Sequence, residues 1–118
     1  SGDIIWESSL PERRSGRGSI AFDGKRVYVS SYYFEGVYAL DAGDGTVLWY
    51  SGDERSSDIA VDGERVYVSG RRRVTVKDAR TGNTVWSVPA GGRVRVFNDM
   101  LYLSSGYALD VSMMRVLP

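Results

Sequence analysis

The sequence predicts an all-β chain of about three four-stranded antiparallel units. Three observations predict it. Short runs rich in Val, Ile, Leu and Tyr alternate with turn residues, no segment shows a helical apolar period, and one pattern recurs at a spacing near 40 residues. The recurrence is anchored by Val27-Tyr28-Val29-Ser30, Val66-Tyr67-Val68-Ser69 and Leu101-Tyr102-Leu103-Ser104, so that the tyrosines are 39 and then 35 residues apart.

Taken along the chain, Ser1-Gly2-Asp3-Ile4-Ile5-Trp6 reads as the tail of a further copy, an outer strand over 1–8 without strands of its own to pair with. The first complete unit covers 18–50. Ser19-Ile20-Ala21-Phe22 runs into Asp23-Gly24, the Tyr28 strand follows, then Val37-Tyr38-Ala39-Leu40-Asp41-Ala42, then Gly45-Thr46-Val47-Leu48-Trp49. The second covers 57–88, with Ile59-Ala60-Val61 before Asp62-Gly63, then Val74-Thr75-Val76-Lys77-Asp78-Ala79 and Gly82-Asn83-Thr84-Val85-Trp86. The third, over 93–118, is degenerate. Val94-Arg95-Val96-Phe97 precedes Asn98-Asp99, and the unit ends in Tyr107-Ala108-Leu109-Asp110-Val111 and Arg115-Val116-Leu117-Pro118. Asp-Gly between apolar runs signals a hairpin, on the expectation that both turn residues take positive φ. Strands of four to six residues in a four-stranded meander, repeated, predict propeller blades.

Composition bounds the function. The 118 residues carry 15 basic and 15 acidic side chains, a formal net charge of +0, and 42% hydrophobic residues. That balance gives no global field for nucleic acid or an anionic membrane, and no apolar run is long enough to span a bilayer. No signal peptide is recognised, and Ser1-Gly2-Asp3 reads as a processed or trimmed start. Cysteine and histidine are absent. Disulfides, thiolate chemistry, His-based triads and His-ligated metals therefore drop out together. Gln is missing, Asn occurs only at Asn83 and Asn98, and Arg outnumbers Lys. Depletion of thermolabile side chains is a feature of proteins from hot habitats, although bias in a short chain produces it too.

The segments Ala39-Leu40-Asp41-Ala42-Gly43-Asp44-Gly45-Thr46-Val47-Leu48-Trp49 and Val76-Lys77-Asp78-Ala79-Arg80-Thr81-Gly82-Asn83-Thr84-Val85-Trp86 resemble the tryptophan-docking motif of the pyrroloquinoline-quinone-type (PQQ-type) β-propeller repeats, roughly Ala-x-Asp-Ala-x-Thr-Gly-x-x-x-Trp. Ser1 to Trp6 matches its second half. The last copy keeps Ala108 and Asp110 but has Met113-Met114 for Thr-Gly and Pro118 for Trp. Asp41, Asp78 and Asp110 suit carboxylates that accept turn N–H groups, and Gly45 and Gly82 suit positive φ. The resemblance implies that Trp6, Trp49 and Trp86 dock on neighbouring blades. On that footing Trp49→Ala and Trp86→Ala should each cost about 3–5 kcal/mol.

The resemblance also implies a choice of function. Quinoprotein dehydrogenases of the family use a complete propeller around a quinone and a calcium ion, with a catalytic Asp, calcium ligands and, in many, a disulfide of adjacent cysteines. This chain has no cysteine, and its motif aspartates are accounted for by the turns. No catalytic residue, cofactor or metal is therefore expected. Non-enzymatic relatives serve as protein-binding scaffolds, mostly outside the cytoplasm. The expected role is thus a non-enzymatic module for protein binding or assembly, extracytoplasmic (periplasmic, cell-surface or secreted). The alternatives are a fragment of a quinoprotein oxidoreductase and polyanion binding through arginines.

Two glycine-containing loops, Gly16-Arg17-Gly18 and Gly91-Gly92, lack a P-loop lysine and a following helix, so they read as turns. The Asp41 to Gly45 run lacks the spacing and terminal Glu of an EF-hand. A meander sorts its loops onto two ends. One end collects Arg71, Arg72 and Arg73 with the aromatic turn Tyr32-Tyr33-Phe34; the other collects Asp23, Asp41, Asp44, Asp62, Asp78, Asp99 and Asp110. Arginine and tyrosine are enriched in protein interfaces, so Tyr32, Tyr33, Phe34, Arg71, Arg72 and Arg73 are the candidate partner contacts. The plainer reading is that the arginines form a solvated hairpin tip. The expected partner is a protein, through self-association or completion of a larger propeller by strand 2–7; membrane and nucleic-acid partners are not expected.

Overall fold

The computed structural model describes residues 18–31, 34–52, 58–70 and 72–112. Their secondary structure is all strand and turn, in three antiparallel sheets. The first sheet is β1 (Gly18–Phe22), β2 (Arg26–Ser31), β3 (Phe34–Asp41) and β4 (Val47–Ser51). The second is β5 (Asp58–Asp62), β6 (Arg65–Ser69), β7 (Val74–Asp78) and β8 (Thr84–Val88). The third, three-stranded among the described residues, is β9 (Val94–Phe97), β10 (Met100–Leu103) and β11 (Tyr107–Asp110). Every strand pairs with its sequence neighbour, as a meander requires. The fold class expected from the repeat is the one observed.

Register shows why these residues fold as repeats. Ala21 faces Tyr28, Ala60 faces Tyr67 and Arg95 faces Tyr102. The first two sheets also share a register shift, between Ala39 and Leu40 and between Val76 and Lys77. Each sheet alternates its side chains between two faces, and both faces of the middle sheet are covered. Ile59, Val66 and Val68 pack with Tyr28, Val37, Ala39 and Trp49 of the first sheet. Tyr67, Val74 and Val76 point the other way and pack with Val94, Leu101, Leu103 and Val111 of the third. A one-residue slip would expose both sets, so register is strongly specified here.

The first strands of the sheets lie side by side, β1 against β5 and β5 against β9. This is the placement of innermost strands around a propeller axis. A polar link repeats along them. Ser19 Oγ accepts from the Ile59 N–H at 3.2 Å, and Asp58 Oδ2, one blade on, accepts from the Val94 N–H at 2.9 Å. The Ser19 hydroxyl also meets Asp58 Oδ1 at 3.1 Å.

The hairpins differ from expectation in one respect. Only at Asn98 and Asp99 do both turn residues take positive φ, 49° and 60°. At Asp23-Gly24 and Asp62-Gly63 the glycine alone does, at 99° and 60°. The reason lies in the pairing. Asp62 is still in the ladder, opposite Arg65, so Gly63-Glu64 is the two-residue loop. At the first turn Asp23 uses its carboxylate to accept the Lys25 and Arg26 N–H groups, both at 2.8 Å. Asp is thus the residue that enters the turn, and glycine supplies the left-handed step.

Candidate functional site

The motif turns between the third and fourth strands have one shared geometry. In the first blade the Asp41 N–H donates to Thr46 O and the Gly45 N–H to Asp41 O, each at 2.8 Å. In the second, the Asp78 N–H donates to Asn83 O and the Gly82 N–H to Asp78 O, again at 2.8 Å. The aspartates accept as turn carboxylates do: Asp41 Oδ1 from Gly43 N–H at 2.7 Å, and Asp78 Oδ1 from Arg80 N–H at 2.9 Å. Asp110 Oδ1 accepts from the Ser112 N–H at 2.9 Å and the Ser112 hydroxyl at 2.6 Å, and those two donors hold its carboxyl below the usual range. The residue after each motif Asp then ties the turn to the first hairpin of its own blade. Ala42 N–H donates to Lys25 O, Ala79 N–H to Glu64 O and Val111 N–H to Asp99 O.

The second of these turns is a seat for an indole. Trp49, only 8% exposed, donates its Nε1–H to Ala79 O at 2.8 Å. Its ring lies where a Cβ on Gly82 would stand, 2.6 Å from that position, and Gly82 holds φ at 80°. Gly82 is therefore required twice, for its backbone conformation and for the space above it. Tyr28 completes the contact with its ring centroid 6.0 Å from the indole.

Trp86 corrects the expectation of equal docking, because it is 52% exposed. The corresponding turn of the third blade has Val111 where the seat has Ala79, and Met114 where it has Gly82. At Gly82 even a Cβ would stand 2.6 Å from the Trp49 ring. Trp6, the third motif tryptophan, lies outside the described residues.

The candidate partner contacts are brought together only in part. Tyr32, Tyr33 and Arg71 lie outside the described residues, and Phe34 opens β3. Arg72 and Arg73 are exposed on the tight turn between β6 and β7, where the Gly70 N–H donates to Arg73 O at 2.8 Å. That geometry puts both side chains at an exposed hairpin tip. At the opposite end the aspartates serve as turn acceptors and ion-pair partners. Asp23 meets Arg26 at 3.3 Å and accepts the Tyr28 hydroxyl at 2.6 Å. Burial pulls the Asp23 carboxyl upward, but the Tyr28 hydroxyl, the Lys25 and Arg26 N–H groups and the Arg26 charge outweigh it, so its pKa is lowered. Among the described residues no three acidic side chains gather as they would around a metal ion.

Sequence reasoning passed over several residues that join the blades. Ser19 and Asp58 form the axial links described above. Arg65 reaches out of the second blade, donating to Val111 O at 2.6 Å and pairing with Asp99 at 3.3 Å. Lys77 is buried in the second sheet where the other repeats have Leu40 and Leu109, and it donates to Ser51 Oγ of the first blade at 2.8 Å and to Thr84 Oγ1 at 3.1 Å. A column-by-column alignment marks Lys77 as a polar departure from Leu40 and Leu109, whereas Ser19 and Asp58 share a polar column with Arg93 and Arg65 aligns with Arg26; the partners of Ser19, Asp58 and Arg65, and Ser51 for Lys77, stand in another blade.

Stacked four-stranded meanders, adjacent inner strands and a tryptophan seated on the next blade define a PQQ-type propeller segment. A family model described as "Outer membrane protein assembly factor BamB" matches residues 1–96, and the chain belongs to that family. Its structure is similar to the crystal structure of BamB from Moraxella catarrhalis, with a TM-score of 0.78 and 21% identity over 96% of this chain and 38% of that one. It is also similar to the computationally designed Ika4 protein, with a TM-score of 0.75 and 15% identity over 100% of this chain and 79% of that one. A europium-containing methanol dehydrogenase shares the fold at a TM-score of 0.67 and 20% identity, over 83% of this chain and 24% of that one. The chain thus spans well under half the length of the BamB structure and about a quarter of that of the dehydrogenase. No curated protein matches it in sequence.

Proposed function

We propose that this chain is a non-enzymatic propeller module that binds protein and takes part in assembly, outside the cytoplasm. The observation that carries the reading is the family match over residues 1–96, to a description that is itself an assembly factor. The chemistry of the described residues supports it. Their motif carboxylates are engaged by backbone N–H groups, and the space between the sheets is filled by apolar side chains. The contact surface is the loop end carrying Tyr32, Tyr33, Phe34 and Arg71 to Arg73. Strand 2–7 adds to an open sheet edge, in a partner or in the remainder of a larger propeller, because an apolar strand leaves its backbone groups unpaired until it finds a ladder.

The test is binding of amphipathic strand peptides from an outer-membrane barrel to the immobilised chain. An Arg71→Glu, Arg73→Glu double variant should weaken binding at least tenfold, with little change from Asp41→Asn on the opposite end. Equal loss from both removes the loop-end assignment. A chain beginning at Ser9 tests the strand: unchanged mass and binding would remove its role. The quinoprotein reading is favoured by the dehydrogenase likeness, which shows the fold alone. It is tested by adding PQQ and calcium and following quinone absorbance and dye reduction with an alcohol.

A further inference from the structure

Most arginines among the described residues are held by an aspartate. Arg26 meets Asp23 at 3.3 Å, Arg65 meets Asp99 at 3.3 Å, Arg80 meets Asp78 at 3.6 Å and Arg95 meets Asp58 at 3.3 Å. The others, Arg72, Arg73 and Arg93, are exposed and have no ion-pair partner among the described residues. All of these stand at one end of the second and third blades. Arg72 and Arg73 lie on the turn from β6 to β7, and Arg93 stands at the entry to β9.

Hydrogen bonds bring these segments together and fix them. The Ser69 hydroxyl, at the end of β6, donates to Gly92 O and joins the β6–β7 turn to the segment ahead of β9. The Gly70 N–H donates to Arg73 O at 2.8 Å and closes that turn. Towards the third blade, the Arg93 N–H donates to Ser104 Oγ at 2.8 Å and the Ser104 N–H to Arg93 O at 3.0 Å. The Ser105 hydroxyl donates to Gly91 O at 2.8 Å. Gly92 permits this close approach: its φ is 114°, and a Cβ there would stand 2.6 Å from Ser104 Oγ. The guanidinium groups are thus carried on turns that binding need not order, which lowers the entropic cost of a contact.

The acids lie elsewhere. Asp23, Asp62, Glu64 and Asp99 belong to the first hairpins of their blades, and Asp41, Asp44, Asp78 and Asp110 to the turns after the third strands, all at the opposite end. Among the described side chains Asp58 is the one carboxylate at the arginine end. It is already engaged by the Ser19 hydroxyl, the Val94 N–H and Arg95. A guanidinium presents a planar fork that matches a carboxylate, and the arginines that pair within this chain pair with carboxylates.

We propose that Arg72, Arg73 and Arg93 form the docking site for an acidic, extended segment of a partner protein, whose carboxylates take the place that aspartates take at the chain's other arginines. The proposal rests on the loop-end contact put forward above; it adds Arg93 to that surface and names the partner's chemistry. So small a cluster, in a chain of net charge +0, favours a peptide over other polyanions. Basic clusters that hold anionic lipids carry about four to eight residues, and a nucleic acid is held by a run of phosphate contacts along its backbone.

Fluorescence anisotropy tests it with a labelled Gly/Ser peptide carrying alternate glutamates, beside the same peptide with glutamines. At low salt the glutamate peptide should bind about tenfold tighter, an advantage that shrinks as salt rises past about 0.1 M and screens exposed charges. Arg73→Gln and Arg93→Gln should each weaken it about threefold, the scale of an exposed ion pair. Arg80→Gln, at the opposite end, should leave it unchanged. These positions are exposed, and circular dichroism checks that each variant folds. Equal affinity for the two peptides, equal loss from Arg80→Gln, or tighter binding of a thymidine oligonucleotide or of phosphatidylglycerol vesicles would overturn the proposal. If the barrel-strand peptides bind and respond to the Arg71→Glu, Arg73→Glu variant while the glutamate peptide does not bind, the loop-end contact stands and the acidic partner alone falls. If neither kind of peptide binds, the contact surface falls with it.

Discussion

The two junctions between blades are built from the same repeat but held in different ways. Between the first and second blades the lock centres on one aromatic residue, beside the polar links of Ser19 and Lys77. Trp49 sits on Gly82, donates to Ala79 O and touches Tyr28, whose hydroxyl is satisfied by Asp23. Between the second and third blades the corresponding tryptophan is half exposed, and the corresponding tyrosine hydroxyl, Tyr67 Oη, is buried without a hydrogen-bond partner among the described residues. That junction is held by apolar packing and by polar reach, through Arg65 to Val111 O and Asp58 to the Val94 N–H. The difference teaches that the docking tryptophan is only half of the device. The other half is a small residue and a glycine one blade further on: Trp49 has Ala79 and Gly82 there and is buried, whereas the sequence offers Trp86 Val111 and Met114, and Trp86 is half exposed.

The largest predicted effect separates the tryptophans. Trp49→Ala should destabilise the chain by about 3–5 kcal/mol, as truncation of a buried aromatic does, whereas Trp86→Ala should fall within about 1 kcal/mol. Urea unfolding midpoints decide between them, and equal shifts would restore the symmetric picture that the motif alone suggests. The second prediction attacks the seat. Gly82→Ala should cost about 1–3 kcal/mol from left-handed strain alone, with a further loss because the new Cβ meets the indole. A red shift of Trp49 fluorescence should accompany it, which backbone strain without loss of docking would not produce.

The third prediction concerns the polar junction. Arg65→Met keeps much of the apolar stem but strands Val111 O and Asp99, so a loss of about 1–3 kcal/mol is expected. Hydrogen exchange should show that loss concentrated in β9 to β11, and a uniform change over the three sheets would contradict the junction-specific role. The fourth and smallest compares the tyrosines. Tyr28→Phe removes the hydroxyl that donates to Asp23 and should cost about 1.5 kcal/mol, in the range for hydrogen bonds to charged groups. Tyr67→Phe removes a hydroxyl with no partner and should be neutral or slightly stabilising. It should also change the alkaline limb. Burial pushes the Tyr67 phenol from its usual 10.0 up to about 12, with the Arg65 charge acting against it. Between those values the unfolded chain gives up this proton and the folded chain keeps it, so the contribution is whole below about pH 10 and lost as pH rises towards 12. Burial raises the Tyr28 phenol as well. Stability of Tyr67→Phe should therefore fall less steeply from pH 10 to 12 than that of the wild type, without becoming flat.

Much of the fold was legible because its signals are local. Alternating apolar runs, Asp or Asn at each first hairpin and the Asp-to-Gly spacing of the motif turns place the strands without reference to distant contacts. The aspartates took the turn roles that their chemistry suggests, and the two motif glycines took positive φ. The candidate loop end was legible only as composition. Arg72 and Arg73 are exposed on a tight turn, and the adjoining Tyr32, Tyr33 and Arg71 lie outside the described residues. Ser19, Asp58 and Arg65 were passed over because a single serine, aspartate or arginine at a strand end has no local signature of cross-blade work.

The sequence by itself determined the all-β class, the repeat and its phase, the roles of the motif aspartates and glycines, and the family, since each depends on residues within a few positions of one another or on their recurrence. Tertiary structure alone decided which tryptophan is docked and which aspartate carries a link between blades. The physical reason is distance along the chain. Trp49 finds its acceptor 30 residues away and Asp58 finds the Val94 N–H 36 residues away. Whether such a contact forms depends on the space and the polar atoms that the next blade presents, and no pattern within one repeat contains them.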